Sequence, residues 1–233
     1  MKAILKRLSS FQLILLGFAA VILTGALLLM LPISTASGES AAFSDALFTS
    51  VSAVCVTGLI TQDTATYWSQ FGQTIILLLI QVGGLGVVTA ASAIALIAKR
   101  RINLRQRSTM QEATSAQQVG GVVKFTSFIF KTTFLIELIG VILLMPVFCR
   151  DFGFLKGLWY SLFHSISAFC NAGFDLLGVR TQFSSLTTYA ANPLLNIVII
   201  FLIISGGLGF ATWEDIRTHR HHIKKYRMQS KVI

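Results

Sequence analysis

Charge is what this chain has least of. Of 233 residues only 12% are Asp, Glu, Lys or Arg, and the acids number nine. A soluble domain carries about twice that charged fraction, so an ordinary water-soluble globule is excluded. Cysteine is nearly absent too. Cys55, Cys149 and Cys170 have no metal-ligand spacing, which excludes a zinc framework. No phosphate loop is present, since GGVVK at 120–124 is not G-x-x-x-x-G-K-[ST]. The apolar segments hold no cluster of acids, histidines or activated serine that would do catalysis. The chain therefore reads as no enzyme, and as carrying no cofactor of its own.

What is there instead is apolar. The chain is 54% hydrophobic and its mean hydropathy is +0.74. Crossing a bilayer takes roughly 20 apolar residues, and four segments are long enough: 11–33, 71–98, 125–148 and 193–213. Lys131 and Glu137, in the third, are the charges they contain. The basic start followed by an apolar run resembles a signal peptide, but the run is too long and lacks a small-residue cleavage site. It reads as a retained span among membrane lipid.

The net charge of +10 would suit nucleic acid, but its distribution argues otherwise. Lys2, Lys6 and Arg7 precede the first span. Lys99, Arg100, Arg101, Arg105, Arg107 and Lys124 fill the link between spans two and three. Arg217, Arg220, Lys224, Lys225, Arg227 and Lys231 follow the fourth. The other two connections hold Arg150, Lys156 and Arg180, with five acids, Glu39, Asp45, Asp63, Asp151 and Asp175. By the positive-inside rule both termini and the middle link are cytoplasmic. The expected protein is a multi-pass component of the cell membrane with no nucleic-acid partner.

Two stretches of the chain nearly coincide. Residues 48–59 read FTSVSAVCVTGL and residues 163–174 read FHSISAFCNAGF, at a constant offset of 115 (163 − 48). Each runs from a short helix-like segment, Phe43 to Val54 or Leu155 to Phe169, into the C-x-x-G piece that follows it, inside an outer connection (34–70 or 149–192) too long and too apolar for a simple loop. Such segments between spans read as re-entrant helices. Irregular backbone at that depth is tolerated only where protein buries it or a wet cavity flanks it. GGLG recurs as well, at 83–86 and 206–209, at an offset of 123 (206 − 83). Small residues let membrane helices pack closely, and adjacent glycines also weaken a helix; both roles stand open.

The expected fold is an all-α membrane protein of two tandem span–pore helix–filter loop–span repeats of the potassium-channel type. Residues 1–98 form the first repeat, 99–124 a cytoplasmic basic link, 125–213 the second repeat and 214–233 a cytoplasmic basic tail. The repeats run parallel, as suits a pore with a central axis along the membrane normal. The selectivity filter is expected at Cys55, Val56, Thr57 and Gly58 and at Cys170, Asn171, Ala172 and Gly173. Backbone carbonyls of Val56, Thr57, Asn171 and Ala172 would replace the hydration shell of K⁺. Gly58 and Gly173 would supply the unusual backbone angles at least steric cost. The equivalent cysteines suit a structural role in the hairpin better than a disulfide. Glu137 is a functional candidate by its depth, with a hydrogen bond to a neighbouring span or a partner subunit as the plainer alternative. His164 suits packing or capping better than ligation. His219 to His222 (HRHH) suit a solvated basic tail better than a metal. Asp175 fits the mouth and a loop turn equally well.

The motifs SVSAVCVTGL at 50–59, QVGGLGVVT at 81–89, SISAFCNAGFD at 165–175 and ISGGLGF at 204–210 resemble those of the Trk/Ktr/HKT superfamily of potassium transporters. Within it they are most similar to bacterial KtrB-type membrane subunits. The resemblance covers essentially the whole chain. It implies potassium uptake through a filter with one glycine per repeat, at Gly58 and Gly173. A glycine at the first position goes with potassium selectivity and a serine with sodium permeation; sodium is a candidate activator. Family members carry four repeats around one pore, and this chain carries two, so it resembles an N-terminal half whose tail leads toward a third repeat. The implied partners are a second copy or the remaining half of the pore, and a cytosolic ring of nucleotide-binding regulatory subunits. The alternative is a non-conducting truncated or split half that needs a partner chain to complete the pore.

Overall fold

The computed structural model describes residues 9–87, 89–90, 122–219, 222 and 226–232. The basic residues Lys2, Lys6, Arg7, Lys99, Arg100, Arg101, Arg105, Arg107, Arg220, Lys224 and Lys225 lie outside the described residues, as does the end of the second expected span, 91–98. Among the described residues helices are the main element and there are no strands, only one isolated bridge between Thr35 and Trp68. The helices are α1 (Ser10–Leu29), α2 (Phe43–Val54), α3 (Gln70–Leu85), α4 (Val122–Phe152), α5 (Phe154–Phe169), α6 (Pro193–Gly207), α7 (Phe210–His219) and α8 (Met228–Val232).

Local chemistry sets where the long helices begin. At α1 the Ser9 hydroxyl accepts from the Gln12 amide at 3.2 Å and the Gln12 side chain accepts from the Ser9 amide at 2.9 Å, a reciprocal cap. Ser69 caps α3 through the Gly72 amide at 3.2 Å. Asn192 caps α6 through the Leu195 amide at 3.1 Å, with Pro193 at the first helical position. α1 and α4 are each long and apolar enough to cross a bilayer. At 31 residues, α4 spans about 45 Å, more than the hydrocarbon thickness of about 30 Å.

Packing repeats with the sequence. α2 lies against α1 and α3, and α5 lies against α4 and α6. α3 also touches α5, joining the halves. Leu29, Trp68, Ile76, Ile80, Leu144, Phe148, Phe163 and Leu202 form one continuous core. The outer faces of the long helices are apolar instead of polar: Leu15, Leu23 and Leu27 on α1, Leu135 and Leu138 on α4, and Ile197, Ile200 and Ile204 on α6 are exposed. Exposed apolar surface of this extent belongs in lipid.

Both GGLG motifs are close-packed and also end helices. A Cβ at Gly83 would run into the Val54 carbonyl oxygen, and one at Gly206 into the Phe169 carbonyl oxygen. Val54 and Phe169 are the last residues of α2 and α5, so each glycine admits the end of a short helix against a long one. The final glycine of each motif stands at the break in its helix: Gly86 has φ +79° and Gly209 φ +78°, positive values that glycine takes at least steric cost and that do not continue a helix. The expected fourth span, 193–213, is consequently not one straight helix. α6 stops at Gly207 and α7 leaves it at a bend of 89°.

Asp63 joins the two outer connections. It is 3% exposed. Oδ1 accepts from the amides of Ala65 (3.0 Å) and Thr66 (3.1 Å) and from the Thr66 hydroxyl (3.1 Å). Oδ2 accepts from the Phe183 amide at 2.9 Å, 120 residues away. A second link lies below it, where Trp159 Nε1 donates to Gln73 Oε1 at 2.9 Å.

Gly206→Ala is expected to cost about 1–3 kcal/mol through overpacking and to lower the thermal unfolding midpoint in detergent. An unchanged midpoint would show that α6 and α5 stand further apart. Asp63→Ala removes the acceptor shared by the Ala65, Thr66 and Phe183 amides, at about 1.5–3 kcal/mol for a bond to a charged group. Deuterium exchange across the segment around Phe183 should accelerate by about tenfold or more, a change absent if the clasp does not hold.

Candidate functional site

α2 and α5 each end in a cysteine in the right-handed conformation, Cys55 with φ −83° and Cys170 with φ −72°. The next residue turns left-handed in both, Val56 at φ 56° and Asn171 at φ 59°. For β-branched Val56 this is a costly conformation, and strain of this kind collects at functional sites. Two residues on, Gly58 and Gly173 take φ 78° and 75°, which glycine adopts without penalty.

The hydrogen bonds that hold the two turns correspond one for one. The Val56 amide donates to Ala53 O at 3.3 Å and the Asn171 amide to Ala168 O at 3.0 Å. The Thr57 amide donates to Ser52 O at 2.9 Å and the Ala172 amide to Ser167 O at 2.8 Å. The supports behind the turns match as well: Ser50 Oγ donates to Ile22 O at 2.7 Å, and Ser165 Oγ to Glu137 O at 2.7 Å. Each serine thus ties its short helix to the preceding long one. Ser167 Oγ adds a bond to Phe174 O at 2.6 Å.

The turns use the amides of 55–57 and 170–172 and leave their carbonyls. Among the described residues none donates a hydrogen bond to the carbonyls of 55–58 or 170–173. The two stretches also meet. A Cβ at Gly58 would lie 2.5 Å from Ala172 O and 3.3 Å from Gly173 Cα. Cys55, Thr57, Asn171 and Gly173 are exposed, Val56, Gly58 and Cys170 partly so, and Ala172 is buried with its carbonyl at the seam against Gly58. All eight candidate residues therefore stand in two adjoining loops. Such an arrangement can offer oxygen ligands of fixed direction to a cation, and it offers nothing to a nucleophile or a proton transfer.

The remaining sequence candidates find their places around these loops. Glu137 is 3% exposed and accepts from Gln81 Nε2 at 2.9 Å, a bond to a neighbouring helix. His164 bridges two backbone groups, Nδ1 to Tyr160 O at 2.7 Å and Nε2 to the Leu176 amide at 3.4 Å, so it packs and caps. Asp175 accepts from the Leu177 amide at 2.9 Å, a local turn, and also borders a cavity of about 200 Å³ with His164, Asn171 and Gly173. His219 rests on the Tyr226 ring; Arg220 and His221 lie outside the described residues. Cys55, Cys149 and Cys170 are free thiols, and the Cys170 sulfur packs where a Cβ of Gly84 would be.

Sequence reasoning missed a cluster in the second outer connection. Arg180 pairs with Asp151 at 2.7 Å and stands 5.1 Å and 5.0 Å over the rings of Phe152 and Tyr189. Tyr189 donates to the same carboxylate at 2.6 Å. Burial, and then this bond, push the Tyr189 phenol above its ordinary range, so it stays a donor. The spacing of Asp151, Arg180 and Tyr189 carries no pattern that would have paired them.

The TrkH family of cation transport proteins matches residues 9–232. The chain is 46% identical over 231 residues to the potassium/sodium uptake protein NtpJ of Enterococcus hirae, covering 99% of this chain and 50% of that protein. It is 42% identical over 222 residues to the Ktr system potassium uptake protein B of Bacillus subtilis, covering 95% of this chain and 48% of that protein. Against the Ktr system potassium uptake protein B of Vibrio alginolyticus the figures are 36% over 208 residues, 89% and 44%. The chain spans about half the length of these curated relatives, and the matched stretch includes both short helices, both glycine-ended loops and both GGLG motifs. By that match the chain belongs to the TrkH family of cation transport proteins, a family of transporters and not of enzymes.

Proposed function

We propose that the chain contributes two selectivity hairpins to a potassium-conducting pore that moves K⁺ into the cell down its electrochemical gradient. The observation that carries this is the pair of adjoining loops whose carbonyls take no protein donor. Stripping water from K⁺ requires oxygen ligands in its place, and carbonyl rings provide them without charge that would trap the ion. Cys55, Val56, Thr57 and Gly58 with Cys170, Asn171, Ala172 and Gly173 are the filter residues. Carbonyls of Val56, Thr57, Asn171 and Ala172 are the proposed ligands. α2 and α5 are the pore helices, and the partial negative charge at their C-terminal ends faces the loops they lead into.

In this arrangement residues 1–98 and 125–213 are the two membrane repeats of a multi-pass protein of the cell membrane. The link 99–124 and the tail 214–233 face the cytoplasm, which the charge distribution favours. Names of relatives support the cargo: two are potassium uptake proteins and one a potassium/sodium uptake protein. Gly58 favours potassium, with sodium as a candidate activator. The basic link and tail would meet a cytosolic nucleotide-binding ring.

A second reading rests on length. Since the chain spans about half of its relatives, its two hairpins are half of a four-hairpin ring, and alone they would not conduct. A second copy or the remaining half of the pore would complete the ring. Potassium-selective flux by the purified chain in lipid vesicles would defeat that reading.

The filter itself is tested by rubidium uptake in cells lacking potassium import. Gly58→Val with Gly173→Val forces side chains into positive φ at about 1–3 kcal/mol each, and at Gly58 drives one into Ala172 O. Uptake should fall to background while the protein remains in the membrane. Normal uptake would sink the filter assignment.

A further inference from the structure

The two halves repeat the serine and backbone bonds that hold their turns, and behind those serines the side chains break the pattern. Ile22 and Glu137 are equivalent positions, since both backbone carbonyls accept the serine of the following short helix. Their side chains differ. Ile22 packs on the core, whereas Glu137 is buried and accepts from Gln81 Nε2 across the junction between halves. Gln81 is the counterpart of Ile204 at the GGLG offset, and Ile204 is exposed. One junction between repeats is therefore polar where its counterpart positions are apolar.

We propose that the Gln81–Glu137 hydrogen bond is a specificity-determining contact that holds the second filter loop in register with the first. This rests on the filter reading above. Glu137 is joined to α5 through Ser165, five residues before Cys170. Gln81 precedes Gly84 on α3, and a Cβ at Gly84 would lie 2.5 Å from Cys170 Sγ and 2.8 Å from Cys170 Cβ. The bond thus fixes, one turn away, the two surfaces that meet at the head of the second loop. Apolar contacts can slide with little change in energy. A buried amide–carboxyl bond cannot, because any shift leaves polar atoms unpaired at about 1–3 kcal/mol, with no water in the bilayer core to replace it. Gln81 Oε1 is buried and accepts no hydrogen bond among the described residues, so the bond donated by Nε2 to Glu137 is what pairs this side chain. Buried polar pairs fix register in helical assemblies in the same way. Glu137 and Gln81 are positioning residues: they touch the frame of the loop and not the ion.

The test measures rubidium against sodium uptake, with membrane protein level by immunoblot, for the protein in its native genetic context. Glu137→Leu should lower the rubidium-to-sodium ratio by about tenfold. Glu137→Gln, whose side-chain oxygen still accepts from Gln81, should rescue the ratio to within about twofold. Gln81→Met, close in shape and unable to donate, should lower it as Glu137→Leu does, and serves if the leucine variant fails to reach the membrane. Joining Gln81→Met to Glu137→Leu should cost no more than either alone, the signature of one shared interaction. If Glu137→Gln damages selectivity as much as Glu137→Leu, charge and not the hydrogen bond matters, and the proposal is overturned. An unchanged ratio in Gln81→Met and Glu137→Leu with protein present overturns it too. Gly173→Ser separates the two levels. If it lowers the ratio while the pair variants do not, the register proposal alone fails; if it leaves the ratio intact, the filter reading fails and this proposal with it.

Discussion

Two segments of backbone come together with no side chain between them, and the architecture follows from that. Gly58 lies against Ala172 and Gly173 closely enough that a single Cβ would not fit. For the loops to meet, α2 and α5 must end at the same depth and face each other. Close approach of the flanking helices at Gly83 and Gly206 permits this. The serine bonds to Ile22 O and Glu137 O then fix each short helix against its long one. Lipid supplies no hydrogen bonds to an irregular segment, so every loop amide that is turned inward must be answered by the chain itself. The amides of 55–57 and 170–172 are answered and the carbonyls of 55–58 and 170–173 take no donor among the described residues, an asymmetry that fits the proposed filter role.

Duplication explains how so small a chain achieves it. The same hairpin is built twice, down to the left-handed turn at Val56 and Asn171. Departures from the repeat occur where the halves touch each other. Asp63 reaches Phe183, Trp159 reaches Gln73, and Glu137 reaches Gln81. All three are polar and join residues far apart in the chain. Apolar burial would hold the halves together without deciding their register, because it depends on area and not on direction. The directional bonds decide it.

Much of the helical fold was legible. The short helices expected at Phe43 to Val54 and Leu155 to Phe169 occur at Phe43–Val54 and Phe154–Phe169, since short apolar-leaning runs between longer apolar segments mark them in the sequence. The helix breaks inside GGLG were not, because apolar residues continue past Gly209 and hydropathy does not register φ. Packing and breaking both proved to be roles of that motif, divided among its glycines. The partner of Glu137 was foreseen as a neighbouring span but not as Gln81, whose side chain falls in an unremarkable stretch of α3. Asp63 stood out only as one of the acids of an outer connection.

By itself the sequence determined the apolar helices and the doubled hairpin, which contains the eight residues proposed as the filter. Those properties are local: they depend on hydropathy, on glycine placement and on a pattern that recurs along the chain. Tertiary structure alone decided that the two loops meet at Gly58 and Ala172, that their carbonyls are left without donors among the described residues, and that Glu137 pairs with Gln81. Those depend on distances between segments separated by 56 residues or more, and distance across a fold is not written in the order of residues along it.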